Sequence, residues 1–597
     1  FDFDQGRWQW DMAVLQGIEI TENVVELMVN QIQKLSADTQ QVLKLAACIG
    51  DKFALDVLAI VHETSPAAAA TALWEALQAE FVVPLSQAYK IPLALDADPN
   101  SAAAVAPLAS SGASPEAPIA YRFLHDRVQQ AAYSLIPEAQ KQQTHLKIGR
   151  LLLQHIPAAE RNEHIFAIAN QLNYGVGLLT TEAEAYELAE LNRLASHKAR
   201  AAAAYDSALR YAMVGLDLLP DDSWQQQYNL TLTLHEAAAE TAYLNGDFEQ
   251  METWTAAALQ QTRAPIHTMK IYEVKIQACM AQVKQLEAVR IGLQALAPLG
   301  VSLPETPSLE DIQRALERTA AHLAGKHPDE LLNLPPMTAP EQLAAVRMLT
   351  SLGSPCYQAA PSLFPLVICE QVNLSVTYGS SPFAAYSYAC YGVILNGILQ
   401  DIEAAYQFGT LARRVVDRFN AVEMKASIYF VTGACTLHGK VHARETLTLL
   451  WEGYQSGLEN GQFEYGGYAG VQHGHHAYMM GQELPRLAAE MGAVSETLAQ
   501  LKQDNALGWN QIVKQAVLNL SDSSLTDASL TDASGPPWRL QGSAYREDEA
   551  LPLLVAANDR TGLHYLYLNK LMLSYWFGQY SLALDYAAQA EQYLDGV

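Results

Sequence analysis

No apolar run of 18 residues or more occurs in this 597-residue sequence, so no segment reads as a membrane-spanning helix, and no secretory leader pattern is present. Basic charge is scarce. Against 64 Asp and Glu stand 37 Lys and Arg, a net charge of −27, and no basic patch of any size interrupts the acidic balance. Such a surface repels nucleic acid and anionic lipid, so neither is expected as a partner. The six cysteines (Cys48, Cys279, Cys356, Cys369, Cys390 and Cys435) form no CxxC pair, and most lie in apolar text such as LAACIG and LVICEQ. That pattern excludes a disulfide frame or a cysteine zinc site and fits buried thiols of a cytoplasmic protein.

Catalytic signatures are missing as well. There is no GxxxxGK[ST], GxSxG, HExxH or EF-hand loop. Gly175-Val176-Gly177 begins a GxGxxG, but Thr180 stands at the last position and no strand precedes it. His125-Asp126-Arg127 looks like a scrambled kinase catalytic loop without its Asn-bearing continuation or a DFG. No enzyme activity is expected of this chain, and no cofactor of its own. The opening FDFDQGRWQWD carries no initiating Met, and a piece of a longer polypeptide is expected.

What is present is helix. Half of the residues are hydrophobic and 17% are charged, enough to bury large cores. TENVVELMVNQIQKL, with Thr21 as its cap, and the segment opened by Asp38 and closed by Gly50 read as amphipathic helices. A third follows around residues 54–61, and Ser65-Pro66 opens a fourth. Two short extended pieces, FVVPL and APIAYRFL, flank an Ala-, Ser- and Pro-rich stretch at 94–118 that reads as a disordered loop. Helices, a two-stranded hairpin and a further helix predict a winged-helix domain over residues 1–160.

From residue 161 a drifting pattern recurs. AAAAYDSALRYAMVGLDLLP (201–220) sets small residues at Ala208 and Gly215. AYLNGDFEQMETWTAAAL (242–259) has Gly246, Phe248 and Ala257, and YWFGQYSLALDYAAQAEQYL (575–594) has Gly578, Tyr580, Ala583 and Ala590. Small residues where paired helices cross, with an aromatic opening the second helix, are similar to tetratricopeptide repeats. The expected fold is therefore all-α: a winged helix, then a tetratricopeptide-like α-solenoid in two blocks, 161–300 and 342–597. A Pro-rich linker is expected over 301–341, and a disordered loop with a tandem LTDAS over 520–540.

Histidines supply one candidate site. His438 and His442 share a helix face at i, i+4, and His473 and His476 at i, i+3; on neighbouring helices the four could converge on a metal or ligand. The plainer reading makes them hydrogen-bonded or solvated positions of a solenoid groove, since no carboxylate or thiolate joins them. The 28 Tyr and 9 Trp sit mostly at core spacing, with room for one groove walled by Tyr and His.

The stretch YRFLHDRVQQAAYSLIP sets His125 and Asp126 where a strand turns into an amphipathic helix. Here the sequence resembles the large signalling proteins that join a Ser/Thr kinase, a STAND-type AAA ATPase, sensor domains and a histidine kinase output. GRWQWD, TQQVLKLAACIG, THLKIGRLLL, YLNGDFEQME, LFPLVICEQVNLS and NDRTGLHYLYLNKL carry the likeness onward, in the family's order. STAND ATPases have a Met-His-Asp or Leu-His-Asp motif whose His contacts the terminal phosphate of ADP in the closed state. The resemblance implies that role for His125, with Asp126 as helix cap or partner of the imidazole. It implies ADP or ATP on an ATPase core that has no counterpart here, and intramolecular ATPase and kinase domains as partners. A protein or peptide effector on the solenoid and oligomerisation on activation complete the expectation. Two other readings compete: the helical region of an ATPase-type transcription regulator, and a metal or small-molecule sensor using the His438–His476 cluster.

Overall fold

The computed structural model describes residues 24–85, 119–521 and 536–596. The opening FDFDQGRWQWD, Thr21, the 94–118 loop and residues 522–535 of the second expected loop lie outside the described residues. Among the described residues no helix is long and apolar enough to cross a membrane. The chain divides into two compact units: residues 1–195 with 214–220, and residues 196–213 with 221–597.

The first unit opens with α1 (Val24–Ile32) and α2 (Ala37–Ile49), followed by β1 (Lys52–Ala54), α3 (Leu55–His62), α4 (Pro66–Ala72) and α5 (Trp74–Gln78). Then come β2 (Val82–Pro84), β3 (Ala120–Phe123), α6 (Asp126–Ser134), α7 (Glu138–His155) and α8 (Ile165–Tyr174). Ser36, and not Asp38, caps α2: its hydroxyl accepts from Thr39 N, and Asp38 occupies the first turn. Ser65 caps α4 ahead of Pro66, as the sequence indicates.

The sheet has three strands in the order β1-β3-β2, all antiparallel, with Phe53 opposite Tyr121 and Val83 opposite Arg122. Expectation gave two strands. Three residues with one buried side chain, Phe53, are too short to show an alternating pattern, and the strand is fixed by contact: Phe53 packs on Tyr121 at 5.9 Å and Phe123 at 5.7 Å. Helix–strand–helix–strand–strand–helix is the order of a winged helix.

Helices α7 and α8 belong to this unit, and a polar chain explains why. Tyr133 on α6 donates to His145 Nε2 on α7 (3.0 Å), and His145 Nδ1 donates to Gln171 Oε1 on α8 (2.6 Å). Gln171 Nε2 then donates to the Cys48 carbonyl on α2 (2.7 Å). The amide oxygen can only accept, so the neutral imidazole carries its proton on Nδ1. The compact unit consequently extends past residue 160.

The second unit is built of helical hairpins. Helices α9 (Glu182–Ala201) and α10 (Tyr205–Asp217) each contribute residues to both units. The rest follow as α11 (Ser223–Gln226), α12 (Tyr228–Leu244), α13 (Phe248–Gln261), α14 (Met269–Ala281), α15 (Gln285–Leu296), α16 (Leu309–Leu323) and α17 (Pro328–Leu332). Beyond them lie α18 (Pro340–Ala359), α19 (Phe364–Tyr378), α20 (Ala384–Gly397), α21 (Ile402–Phe419), α22 (Lys425–Cys435), α23 (Arg444–Asn460) and α24 (Phe463–Met479). The last are α25 (Leu484–Gln500), α26 (Asp504–Ser521), α27 (Glu547–Ala557), α28 (Arg560–Trp576) and α29 (Tyr580–Glu591). The Pro-rich segment expected as a linker contains α16, which Ser308 and Asp311 open with a reciprocal capping box, and α17. Its prolines fall at helix starts and between helices, where a missing N–H costs nothing.

The crossing alanines are buried: Ala208, Ala583 and Ala590, and Ala258 in place of Ala257. The five cysteines Cys48, Cys279, Cys356, Cys369 and Cys390 are buried and free; Cys435 is half-buried and also free. Hairpins distant in sequence also meet within this unit. Lys502 Nζ donates to the Gly246 carbonyl at 2.7 Å, and Asn505 Nδ2 donates to Gln358 Oε1 at 2.8 Å. The array therefore curls until its inner helices face one another.

Candidate functional site

His125 stands between β3 and α6. Phe123 N donates to the Asp51 carbonyl and Leu124 N to that of Phe81, which fixes the end of the strand on two neighbours. The backbone of His125 is extended (φ −150°, ψ 149°), and its Nδ1 accepts from Arg127 N at 3.2 Å. The histidine is thus itself the N-cap of α6, and Asp126, expected as the cap, is the first helical residue. Because Nδ1 accepts, the neutral ring bears its proton on Nε2. The residue is exposed, so a donor N–H is offered to solvent at the positive end of a nine-residue helix, an arrangement suited to an oxyanion.

The four histidines of the second unit separate. His442 folds back to accept from Arg444 N at 3.0 Å ahead of α23, and His473 lies against Trp451 with ring centroids 5.1 Å apart. Only His438 and His476 face each other, edge to face at 6.2 Å. Thr446 gives its hydroxyl proton to the Ala443 carbonyl (2.6 Å), so His476 Nδ1–H donates to Thr446 Oγ1 (2.7 Å). Burial, followed by the neighbouring imidazoles, lowers the pKa of His476 to about 4. Among the described residues no three His, Cys, Asp or Glu side chains gather as metal ligands.

His438 lines something else: a chamber of about 400 Å³ inside the second unit. Alternate helices α18, α20, α22, α24, α26 and α28 supply most of its walls, with Phe364 at the start of α19, so it lies on the inner face of the hairpin array. Tyr386, Phe430, Tyr465, Tyr468, Trp509 and Tyr565 make most of the aromatic surface. Trp509 stacks on Tyr468 at 4.9 Å, and the Tyr465 hydroxyl donates to that of Tyr386 at 2.8 Å. Tyr and His both stand in its walls, and most of these aromatics are also buried core residues, as their spacing indicates. A helix that faces a lined cavity shows the same periodicity as one that faces a filled core, so spacing alone separates them poorly.

A second cleft in the same unit, of about 430 Å³, is charged. Glu240 pairs with Lys270 at 2.6 Å and Arg200 at 3.4 Å, and Glu273 receives a bidentate bond from Arg347. Glu464 reaches this cleft with its Oε1 lacking a hydrogen-bond partner, and burial pushes its pKa up to about 7.

No protein-family model matches the sequence. The chain is similar to the hybrid signal transduction histidine kinase G of Dictyostelium discoideum, with 22% identity over 533 residues, 81% of this chain. It spans 16% of that protein's length. Among solved structures it is similar to a signal transduction ATPase with numerous domains (STAND) from Pyrococcus horikoshii that has a tetratricopeptide repeat sensor. Identity there is 11%, coverage is 91% of this chain and 67% of the other, and the TM-score is 0.37. A TM-score below 0.5 does not bear on the arrangement of helices described above.

Proposed function

We propose that this chain is a non-catalytic sensor and regulatory region of a STAND-type signalling protein, coupling what binds the helical array to the nucleotide state of an ATPase core. The observation that carries the reading is the Leu124-His125-Asp126 turn. It presents an exposed Nε2 donor at the N-terminus of α6, on a winged helix, ahead of an array of helical hairpins. An ADP phosphate would meet both the imidazole and the helix end, and would favour the state in which the core rests on the winged helix. The similarity to a histidine kinase over most of the chain supports a place in a signalling protein.

In this reading ADP or ATP, the kinase or other output, and an effector-driven oligomer belong to the polypeptide that carries the chain, in the cytoplasm. An effector shifts the balance only by the difference in its affinity for the two states. The test is basal output without effector. In the intact polypeptide, His125→Ala should raise basal phosphorylation activity, because the closed state loses its phosphate contact. Unchanged basal activity in a folded variant contradicts the role.

A further inference from the structure

We propose that the chamber inside the helical array binds an uncharged, flat organic molecule that carries at least one hydrogen-bonding group, gripped by aromatic walls and met by the His475 imidazole. The first support is charge. In a chain of net charge −27, the described residues lining the chamber include no Lys, Arg, Asp or Glu, while the adjacent cleft is rich in them. An ion entering the chamber would give up water without gaining a counter-charge. His475, His564 and His438 do not supply one, since burial lowers the pKa of each, that of His475 to about 4.

The second support is shape. About 400 Å³ walled by rings suits a compact molecule with π-faces and is too small for a folded peptide segment.

The third is an unmet need. His475 is 8% exposed, and neither Nδ1 nor Nε2 has a hydrogen-bond partner among the described residues. A buried donor and acceptor left unpaired keep the cost of their lost water, which a ligand group can offset by pairing with them. His564, by contrast, has its Nδ1 on the Ala590 carbonyl at 3.2 Å, and Gln472 Oε1 accepts from the Tyr565 hydroxyl at 2.7 Å. Neither nitrogen of His475 has such a partner. A quaternary ammonium would enjoy the aromatic walls but has no hydrogen bond to offer it, and a pure hydrocarbon would leave it equally unpaired.

The test uses the full chain and calorimetric titration with four probes of similar size: 2-naphthol, naphthalene, naphthalene-2-sulfonate and benzyltrimethylammonium. The site predicts that 2-naphthol binds at one per chain, at least about tenfold tighter than the other three. Ala434→Phe, which fills the chamber from α22, should abolish that binding in a protein whose helical signal and melting transition are retained. His475→Leu should reduce 2-naphthol affinity about tenfold and leave naphthalene binding unchanged, which separates loss of a hydrogen bond from loss of fold. No saturable binding of 2-naphthol, equal or tighter binding of either charged probe, or full binding by Ala434→Phe overturns the site. An unchanged 2-naphthol affinity in His475→Leu overturns the part given to His475. These measurements need no nucleotide, so their failure is distinct from failure of the regulatory reading.

Discussion

At the scale of single residues, protons decide more than charges do. His145 donates from Nδ1 to Gln171, burial lowers its pKa and so favours the neutral ring, and in that form Nε2 accepts from Tyr133. A histidine whose folded pKa is depressed stabilises the fold above its unfolded pKa and loses that contribution as pH falls through the folded one. Gln171→Leu removes both the acceptor for His145 and the donor to Cys48. It should destabilise the first unit by about 2–3 kcal/mol, measured by urea unfolding at neutral pH, because buried partners are left unpaired. Glu464 has the opposite sign. Its folded pKa, about 7, lies above the ordinary 4.5 of a glutamate, so the fold holds a proton that the unfolded chain releases. Its contribution is therefore present below pH 4.5 and is lost as pH rises toward 7. Glu464→Gln should be close to neutral at pH 4.5 and more stable than the parent at pH 8 by about 2 kcal/mol in paired urea titrations.

At the scale of elements, one turn is reused along the array. Ala203, Gly246, Val283, Gln400, Gly461, Lys502, Asn558 and Gly578 all have positive φ, between 52° and 73°, and a helix begins two residues after each. In most of them the next N–H reaches the carbonyl five residues back, as Asp247 does to Ala242, Lys284 to Cys279 and Gln579 to Ser574. This is the Schellman closure of a helix, and glycine satisfies it without strain. Ala203 is exposed and its φ is 55°, so Ala203→Gly loses no packing and relieves the left-handed penalty. The variant should gain about 0.5–1 kcal/mol, seen as a raised melting temperature. Glycines at 246 and 578 made two of these turns legible in the sequence. Val283, Gln400 and Lys502 hid three of the others, because their side chains are poor turn formers that the flanking helices force into place. Pro-Glu-Thr-Pro text concealed α16 in the same way, since its capping box lies just beyond the second Pro. The sequence reads Asp126 as the cap, whereas His125 is the residue that caps α6. Which side chain accepts from Arg127 N depends on the strand register that delivers it, and local sequence does not encode that register.

At the scale of the molecule, closure of the hairpin array turns a repeat into a container. A straight solenoid has contacts only between neighbouring repeats, and its stability is close to a sum of local terms. Here Lys502 touches Gly246 across 256 positions, and alternate helices from α18 to α28 enclose one uncharged chamber. The sequence showed the repeats but not the closure, because the residues that meet across it, Gln358, Tyr468 and Asn505, read singly as ordinary polar or core positions. In the proposed reading, what binds this array is sensed as a shift in the nucleotide state of an ATPase core. The measurement that tests this most directly is the rate at which fluorescent ADP leaves the intact polypeptide, compared between the parent and His125→Ala. The account predicts release faster by about tenfold or more in the variant, as expected when a charge-assisted hydrogen bond worth about 1.5–3 kcal/mol is removed from a bound phosphate. ADP release at the parent rate, in a variant with an unchanged melting transition, would contradict it.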